Sequence, residues 1–316
     1  MNLGETALRA VLASVAPRLR LVASRPLTGG VSAQVTALTA ESADGQRTDF
    51  VLRCYGQANL AADPRAAVHE FAVLSALHAA GLPVPRPFRA DESGAVLPGP
   101  WLVTELMPGT AVTEPADPQP AVLGQLAATL AAIHSAGLGR ARLPFLTDIR
   151  TVWTTRLGTW PESPDVALSE GAIRAALRDR PPPPVVNAAR LLHCDYWPGN
   201  TLWQDGRLTA VIDWEDALLG DPVADLANSR LELAMFFGLA AAQEFTETYL
   251  RLLPGTDLST LPQWELYAAL RPAGKMAGWG MPADQLATMS ARHREFTSAA
   301  LAQLAGPGAT SPFSQA

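Results

Sequence analysis

Short apolar runs separated by turns fill the first hundred residues, a pattern that is typical of β-strands. Strands are predicted over 18–23, 34–40, 49–54 and 101–106, and a turn at Asp44-Gly45 joins the second to the third. Between them, a helix is predicted to begin at Asp63-Pro64, with Asp63 as its cap, and to end at Gly81. The pattern therefore predicts a sheet with one helix for this part of the chain.

Beyond residue 120 the apolar positions recur at helical spacing instead. Helices are predicted over 121–135, within 148–178, and over 222–237, 240–253, 262–277 and 282–304. Met107-Pro108-Gly109 interrupts the pattern between the two parts. We therefore expect a strand-rich domain over 1–106 and a mainly helical domain over 107–304, followed by a disordered tail over 305–316.

One hairpin in the helical half brings polar residues together. Asp205-Gly206 lies between the runs 201–204 and 207–212, which is a strong two-residue turn signal. Counting outward from this turn places Asn200 opposite Val211 and Asp213 just past the open end of the hairpin. The loop that carries Asp195 enters at that same end.

These three polar residues suit one chemistry. Magnesium binds few protein oxygens and takes its remaining ligands from phosphate and water, and Asn200 and Asp213 supply such oxygens. Asp195 lies five residues before Asn200 and could accept a proton from an attacking hydroxyl group. The register of the hairpin thus predicts a magnesium site beside a general base.

Composition and charge exclude other classes of protein. The chain has 316 residues, a net charge of -6 and no dense cluster of Lys and Arg, so we expect no nucleic-acid partner. It contains no apolar stretch of about 18 residues and no signal-peptide pattern, so we expect no membrane span and a cytoplasmic location. Its two cysteines, Cys54 and Cys194, are expected to be free thiols.

The motif around the hairpin resembles the aminoglycoside phosphotransferase / choline kinase family. The resemblance rests on His193-Cys-Asp195 through Asn200, on Ile212-Asp213-Trp-Glu and on Gly220-Asp221-Pro222-x-x-Asp225. It implies an α+β, bilobal, protein-kinase-like fold with a five-stranded antiparallel sheet plus a helix in the N-terminal lobe and a larger, mainly helical C-terminal lobe.

The resemblance also implies an activity and a set of roles. The γ-phosphate of ATP or GTP would pass to a hydroxyl group of a small molecule in a magnesium-dependent reaction, catalysed by a monomer or a homodimer. Asp195 would be the catalytic base, Asn200 and Asp213 would bind magnesium, and Asp225 would brace the catalytic loop near His193.

The nucleotide site that the resemblance implies lies in the first domain. A glycine turn would cover the phosphates, a basic residue late in the third strand would contact them, a helical glutamate would orient that basic residue, and a hinge would bind adenine. The corresponding residues are Gly29, Gly30 and Ser32, then Arg53, then Glu70, then Glu105 and Met107.

Other readings remain open at this point. A transition-metal hydrolase would use His193, Asp195 and Asp213, but such sites recruit more His or Cys ligands. A catalytically silent nucleotide-binding protein is the second alternative.

Glu215 and Asp216 are expected to be solvated or to cap a helix. The acceptor is undefined: acidic and aromatic residues beyond 225 could hold an amine or a sugar, whereas Arg271 and Lys275 argue against a purely cationic pocket.

Overall fold

The computed structural model describes residues 3–27, 33–112 and 120–305. Contacts within the chain divide it into two units, Met1–Gly109 with Thr209–Glu215, and Thr110–Leu208 with Asp216–Ala316. The segment that contains Asp213 thus belongs to the first unit, although the chain on both sides of it belongs to the second.

An antiparallel sheet of five strands forms the first unit, in the order β1-β2-β3-β5-β4. The strands are β1 (Arg20–Leu27), β2 (Ala33–Glu41), β3 (Arg47–Tyr55), β4 (Pro87–Asp91) and β5 (Trp101–Glu105). Because side chains alternate between the two faces of a strand, Leu38, Leu52 and Trp101 enter one buried core. The α+β fold with this sheet confirms the expectation from the sequence.

Three helices accompany the sheet: α1 (Glu5–Val15), α2 (Gln57–Ala62) and α3 (Ala66–Ala79). The apolar positions did not lead us to expect α1, which buries Leu8, Val11 and Leu12 in the core of the sheet. Their i, i+3, i+4 spacing places them on one face of the helix, and this packing stabilises it.

The predicted start of α3 is wrong. Asp63 is the residue that follows α2, and α3 begins three residues later. The carboxylate of Asp63 accepts hydrogen bonds from the backbone N–H of Arg65 (2.9 Å) and contacts Nδ1 of His69 (2.6 Å). Asp63 and Pro64 therefore form a turn between two helices, since a side chain of Asp bonds readily to the backbone two residues on.

Helices dominate the second unit, as expected. In chain order its elements are β6 (Thr110–Ala111), α4 (Pro120–Ser135), α5 (Ile149–Gly158), α6 (Glu170–Leu177), β7 (Arg190–Leu192), β8 (Thr201–Gln204), β10 (Leu218–Gly220), α7 (Pro222–Phe237), α8 (Leu239–Leu252), α9 (Leu261–Ala269) and α10 (Ala283–Ala305). Strand β9 (Arg207–Val211) begins in this unit and ends in the first. Helix α7 is buried almost throughout and packs on α8, α9 and α10. No helix among the described residues is long and apolar enough to cross a membrane.

Two local features of this unit position the polar residues discussed below. Asp205 and Gly206 both have positive φ (50° and 73°), as the predicted two-residue turn from β8 to β9 requires. Helix α9 ends at Ala269, eight residues before the predicted end, because Pro272 has no N–H to continue it. Arg271 therefore lies in a turn instead of within a helix.

Candidate active site

The loop between β7 and β8 holds Asp195 and Asn200 against each other. The side-chain amide of Asn200 donates hydrogen bonds to the Asp195 carboxylate Oδ2 (2.7 Å) and to the Asp195 carbonyl oxygen (2.9 Å). A 3-10 turn over Pro198–Asn200 makes this contact possible by turning the chain back on itself. The five-residue spacing in the sequence therefore corresponds to a direct contact in the structure.

A buried carboxylate braces the start of this loop. Asp225, near the first turn of α7, is 1% exposed and accepts hydrogen bonds from the backbone N–H groups of His193 (2.7 Å) and Cys194 (2.6 Å). These bonds hold Cys194 at a φ of 64°, in the left-handed region, immediately before Asp195.

His134 at the end of α4 supports that brace. Its Nε2 lies 3.2 Å from Asp225, and its Nδ1 lies 2.7 Å from the hydroxyl oxygen of Tyr249 in α8. Burial acts to raise the pKa of Asp225, but the hydrogen bond and charge of His134, together with His193, outweigh burial and lower it. Asp225 is thus ionised, and its charged carboxylate accepts the hydrogen bonds that fix the start of the loop. His134, which was not among the predicted site residues, is part of this network.

Arg271 is a second partner of Asp195 that the motif did not reveal. Its Nη2 lies 2.5 Å from Oδ1 of Asp195 and 3.8 Å from Oδ2 of Asp216. The two residues of the closer pair are 76 positions apart, so no spacing rule connects them. The only signal in the sequence was a charged residue at the end of an apolar helix, directly before a proline.

In the first unit, Arg53 of β3 gathers carboxylates around one guanidinium group. Its Nη1 donates to Oδ1 of Asp213 (2.8 Å), its Nη2 donates to Glu215, and its Nε lies 3.6 Å from Oε2 of Glu70. The side chain of Arg53 is 14% exposed. The ion pair with Glu70 that the sequence suggested is therefore present, and Asp213 joins it.

Two further side chains complete this cluster. The hydroxyl group of Tyr55 donates to Glu70 (2.6 Å), and the amide of Asn59 donates to Glu215 (2.6 Å). Burial raises the pKa of Glu70, while the charge of Arg53 acts in the opposite direction. The expectation that Glu215 is solvated or caps a helix is wrong, because Arg53 and Asn59 hold it. Asp216 is the more exposed of the two, at 57%.

Two other residues that were predicted to bind the nucleotide lie at the end of β5 and just after it. Glu105 is the last residue of β5, where its N–H donates to the carbonyl oxygen of Arg86 (2.8 Å). Met107, two residues further on, is half-buried and lies outside any helix or strand. Gly29, Gly30 and Ser32 lie outside the described residues.

The donor chemistry of the predicted ligands fits magnesium. Since the amide nitrogen of Asn200 is used by Asp195, the amide oxygen is the atom left for a cation. Asp213 engages Arg53 through Oδ1 and retains Oδ2 as a carboxylate ligand. The two residues belong to different units, so their proximity stays a prediction. Within 3–27, 33–112 and 120–305, no group of three or more His, Cys, Asp or Glu is arranged to hold a metal ion, so the described residues offer no cluster of the kind a transition-metal hydrolase uses.

Comparison with known proteins identifies the class. The model of the phosphotransferase enzyme family matches residues 24–272, and the chain belongs to that family. Aminoglycoside 3'-phosphotransferase of Streptomyces fradiae is 32% identical over 197 residues, which are 55% of this chain and 68% of that enzyme. Mouse acyl-CoA dehydrogenase family member 10 is 27% identical over 193 residues, which are 58% of this chain but only 18% of that much longer protein.

Solved structures share the fold. A macrolide 2'-phosphotransferase from Brachybacterium faecium superposes with a TM-score of 0.59 at 24% sequence identity. The superposition covers 93% of this chain and 97% of the chain of that enzyme. A thermostable mutant of the aminoglycoside phosphotransferase APH(4)-Ia, in ternary complex with AMP-PNP and hygromycin B, superposes with a TM-score of 0.61 at 18% sequence identity. This superposition covers 96% of the present chain and 100% of the mutant enzyme's chain. The fold that the resemblance implied is therefore the fold of these enzymes.

Proposed function

We propose that the protein transfers the γ-phosphoryl group of ATP or GTP to a hydroxyl group of a small molecule, with magnesium as the required cation. The observation that carries this proposal is the catalytic loop: Asp195 faces its neighbour Asn200 at hydrogen-bond distance while Asp225 fixes the backbone just before it. Membership in the phosphotransferase enzyme family supports it.

Asp195 is the proposed general base. A carboxylate has about four lone-pair sites, and the contacts with Asn200 and Arg271 leave further ones on both oxygens. One of these would accept the proton of the acceptor hydroxyl as its oxygen attacks phosphorus. Because the donors fix the orientation of the carboxylate, little reorganisation accompanies the proton transfer.

The nucleotide would be held by the first unit. Arg53 would give the phosphates a planar donor with two Nη groups, oriented by Glu70, while Gly29, Gly30 and Ser32 would cover them and Glu105 and Met107 would receive the base. Magnesium on Asn200 and Asp213 would neutralise charge on the phosphates. The division into a nucleotide lobe over 1–106 and a catalytic and acceptor lobe over 107–304 is part of the same proposal.

The related enzymes support ATP as the phosphoryl donor but do not define the acceptor of this protein. AMP-PNP in the APH(4)-Ia complex is an analogue of ATP, and the molecules that the names of these related enzymes give range from hygromycin B to macrolides. Known acceptors are thus chemically diverse, and we extend to this chain only a small molecule with a free hydroxyl group.

A panel assay tests the proposal. Release of ADP or GDP is measured over hydroxylated acceptors that include sugars, amino alcohols, macrolides and aminoglycosides, each with ATP and with GTP. We expect at least one acceptor to stimulate nucleotide turnover well above the rate without acceptor, and magnesium chelation to abolish this. Tight nucleotide binding without turnover on any acceptor would favour the catalytically silent alternative.

A further inference from the structure

The carboxylate of Asp195 already has a cationic partner within the protein, the side chain of Arg271. The Arg271 guanidinium lies 2.5 Å from Asp195 and 3.8 Å from Asp216, and its side chain is 23% exposed. An ammonium group of an acceptor would seek the same carboxylate oxygens. It would have to compete with a guanidinium that is covalently tethered and already in place.

Helix α7 carries a buried carboxyl group, Glu232, one turn before Phe236, which packs against the loop that contains Asp195. Glu232 is 9% exposed. Burial and the neighbouring charge of Asp195 raise its pKa to about 8, with Arg271 acting in the opposite direction. At neutral pH Glu232 is therefore mostly an uncharged acid, which can both donate and accept a hydrogen bond.

An aromatic surface adjoins the same face of α7. Phe236, one helical turn after Glu232, packs against the indole ring of Trp197 with ring centroids 5.1 Å apart. Trp197 lies between Asp195 and Asn200 in the catalytic loop. A guanidinium and a neutral acid can form hydrogen bonds with the hydroxyl groups of an uncharged molecule, and an indole can pack against its apolar ring faces.

We propose that Arg271, Glu232 and Trp197 form a wall of the acceptor site that selects an uncharged hydroxylated acceptor over a polycationic one. This inference rests on the proposed function and narrows its acceptor class. Arg271 is the specificity-determining residue, because it satisfies the carboxylates that would otherwise attract amines.

Matched pairs of acceptors test the selection. Each pair contains a hydroxylated amine and its N-acetylated form, for example glucosamine with N-acetylglucosamine, and an aminoglycoside with its fully N-acetylated derivative. Binding is measured by titration calorimetry and transfer by ADP release. For the wild type we expect the uncharged member to bind at least about tenfold more tightly and to have the lower KM.

Three variants separate charge from structure. Arg271→Gln should abolish or reverse the preference, Arg271→Lys should retain it, and Lys275→Gln, which removes a charge from an exposed position four residues along, should leave it unchanged. If Arg271→Gln unfolds, as thermal melting would reveal, the comparison is made with Arg271→Met, which also removes the charge but keeps an unbranched apolar side chain, and it should likewise abolish or reverse the preference.

The outcomes distinguish this inference from the function on which it rests. Turnover with equal or tighter binding of the charged members by the wild type would overturn the acceptor inference alone. A preference that survives in Arg271→Gln would overturn the role of that residue. Absence of turnover on every member of every pair and on the wider panel would overturn the proposed function instead.

Discussion

At Asp195, donors from two distant parts of the chain meet a single carboxylate. Asn200 contacts Oδ2 and Arg271 contacts Oδ1, so each oxygen has one fixed partner. Such charge-assisted hydrogen bonds orient a carboxylate more strongly than neutral ones do. The orientation of this carboxylate is therefore defined by two side chains of the chain itself.

Arg53 allows a prediction about stability at the level of a single side chain. Replacing Arg53 with Met leaves Glu70, which is 5% exposed, without its cation, and we expect a loss of about 3 kcal/mol in the free energy of unfolding. Urea denaturation measures it. The control is Arg47→Met on the same strand, where the side chain is 69% exposed and a change within about 0.5 kcal/mol is expected. Equal losses in the two variants would refute the buried ion-pair network.

The thiol of Cys54 permits a chemical test of the same strand. Burial raises its pKa from 9.0 to about 11, and burial also raises the pKa of Cys194 well above its ordinary value. At pH 8 the thiolate population of Cys54 is thus about a hundredfold lower than at its ordinary pKa. We expect iodoacetamide to modify the folded protein at least about fiftyfold more slowly than the denatured protein. Similar rates would contradict the burial.

Among the elements, the loop between β7 and β8 depends on one glycine. A Cβ atom at Gly199 would lie 2.2 Å from the indole ring of Trp197, a distance that no side chain tolerates. The ring itself packs on Phe236 of α7. Gly199 therefore permits the loop to close over an aromatic side chain just before Asn200.

Gly199→Ala should displace Trp197 and destabilise the protein by about 2 kcal/mol, as overpacking does. In a Trp197→Ala background the additional cost of Gly199→Ala should largely disappear, which a double-mutant cycle of melting temperatures would reveal. Gly124→Ala in α4 is the control, because a Cβ there meets nothing within 4 Å and alanine favours a helix. Additive effects in the cycle would show that the indole is not the obstacle.

Local patterns predicted four of the five strands of the sheet and the hairpin, because alternation and an Asp-Gly turn depend only on neighbouring residues, but they did not predict β4 (Pro87–Asp91). The antiparallel sheet and the Asp205-Gly206 turn are examples. Features fixed by tertiary packing were missed: α1 is stabilised by the core of the sheet, and the partnership of Arg271 with Asp195 spans 76 positions. Helix α9 was predicted too long because its apolar pattern was given more weight than Pro272.

On the scale of the whole molecule, the proposed site residues form two clusters in two units. Asp195, Asn200 and Arg271 belong to one, and Arg53 and Asp213 belong to the other. In each cluster a guanidinium is paired with a carboxylate to which we assign a role. The proposed reaction requires both clusters, one for the acceptor and one for the nucleotide.

Magnesium dependence should reside in Asp213. We expect Asp213→Asn to lower the affinity gain that magnesium gives to ATP binding by at least about tenfold, because an amide replaces a charged oxygen ligand. Titration calorimetry with ATP, in the presence and absence of magnesium, measures this gain. Asp216→Asn, at a neighbouring but more exposed carboxylate, should behave like the wild type. An unchanged gain in Asp213→Asn would remove Asp213 from the metal site.

The most direct test of the account follows labelled phosphate from [γ-³²P]ATP to an acceptor that the panel assay has identified. The wild type should transfer the label to the acceptor hydroxyl, and Asp195→Asn should do so at least about a thousandfold more slowly while it retains nucleotide affinity. Transfer by Asp195→Asn at close to the wild-type rate would contradict the central claim that Asp195 is the base of a phosphotransferase.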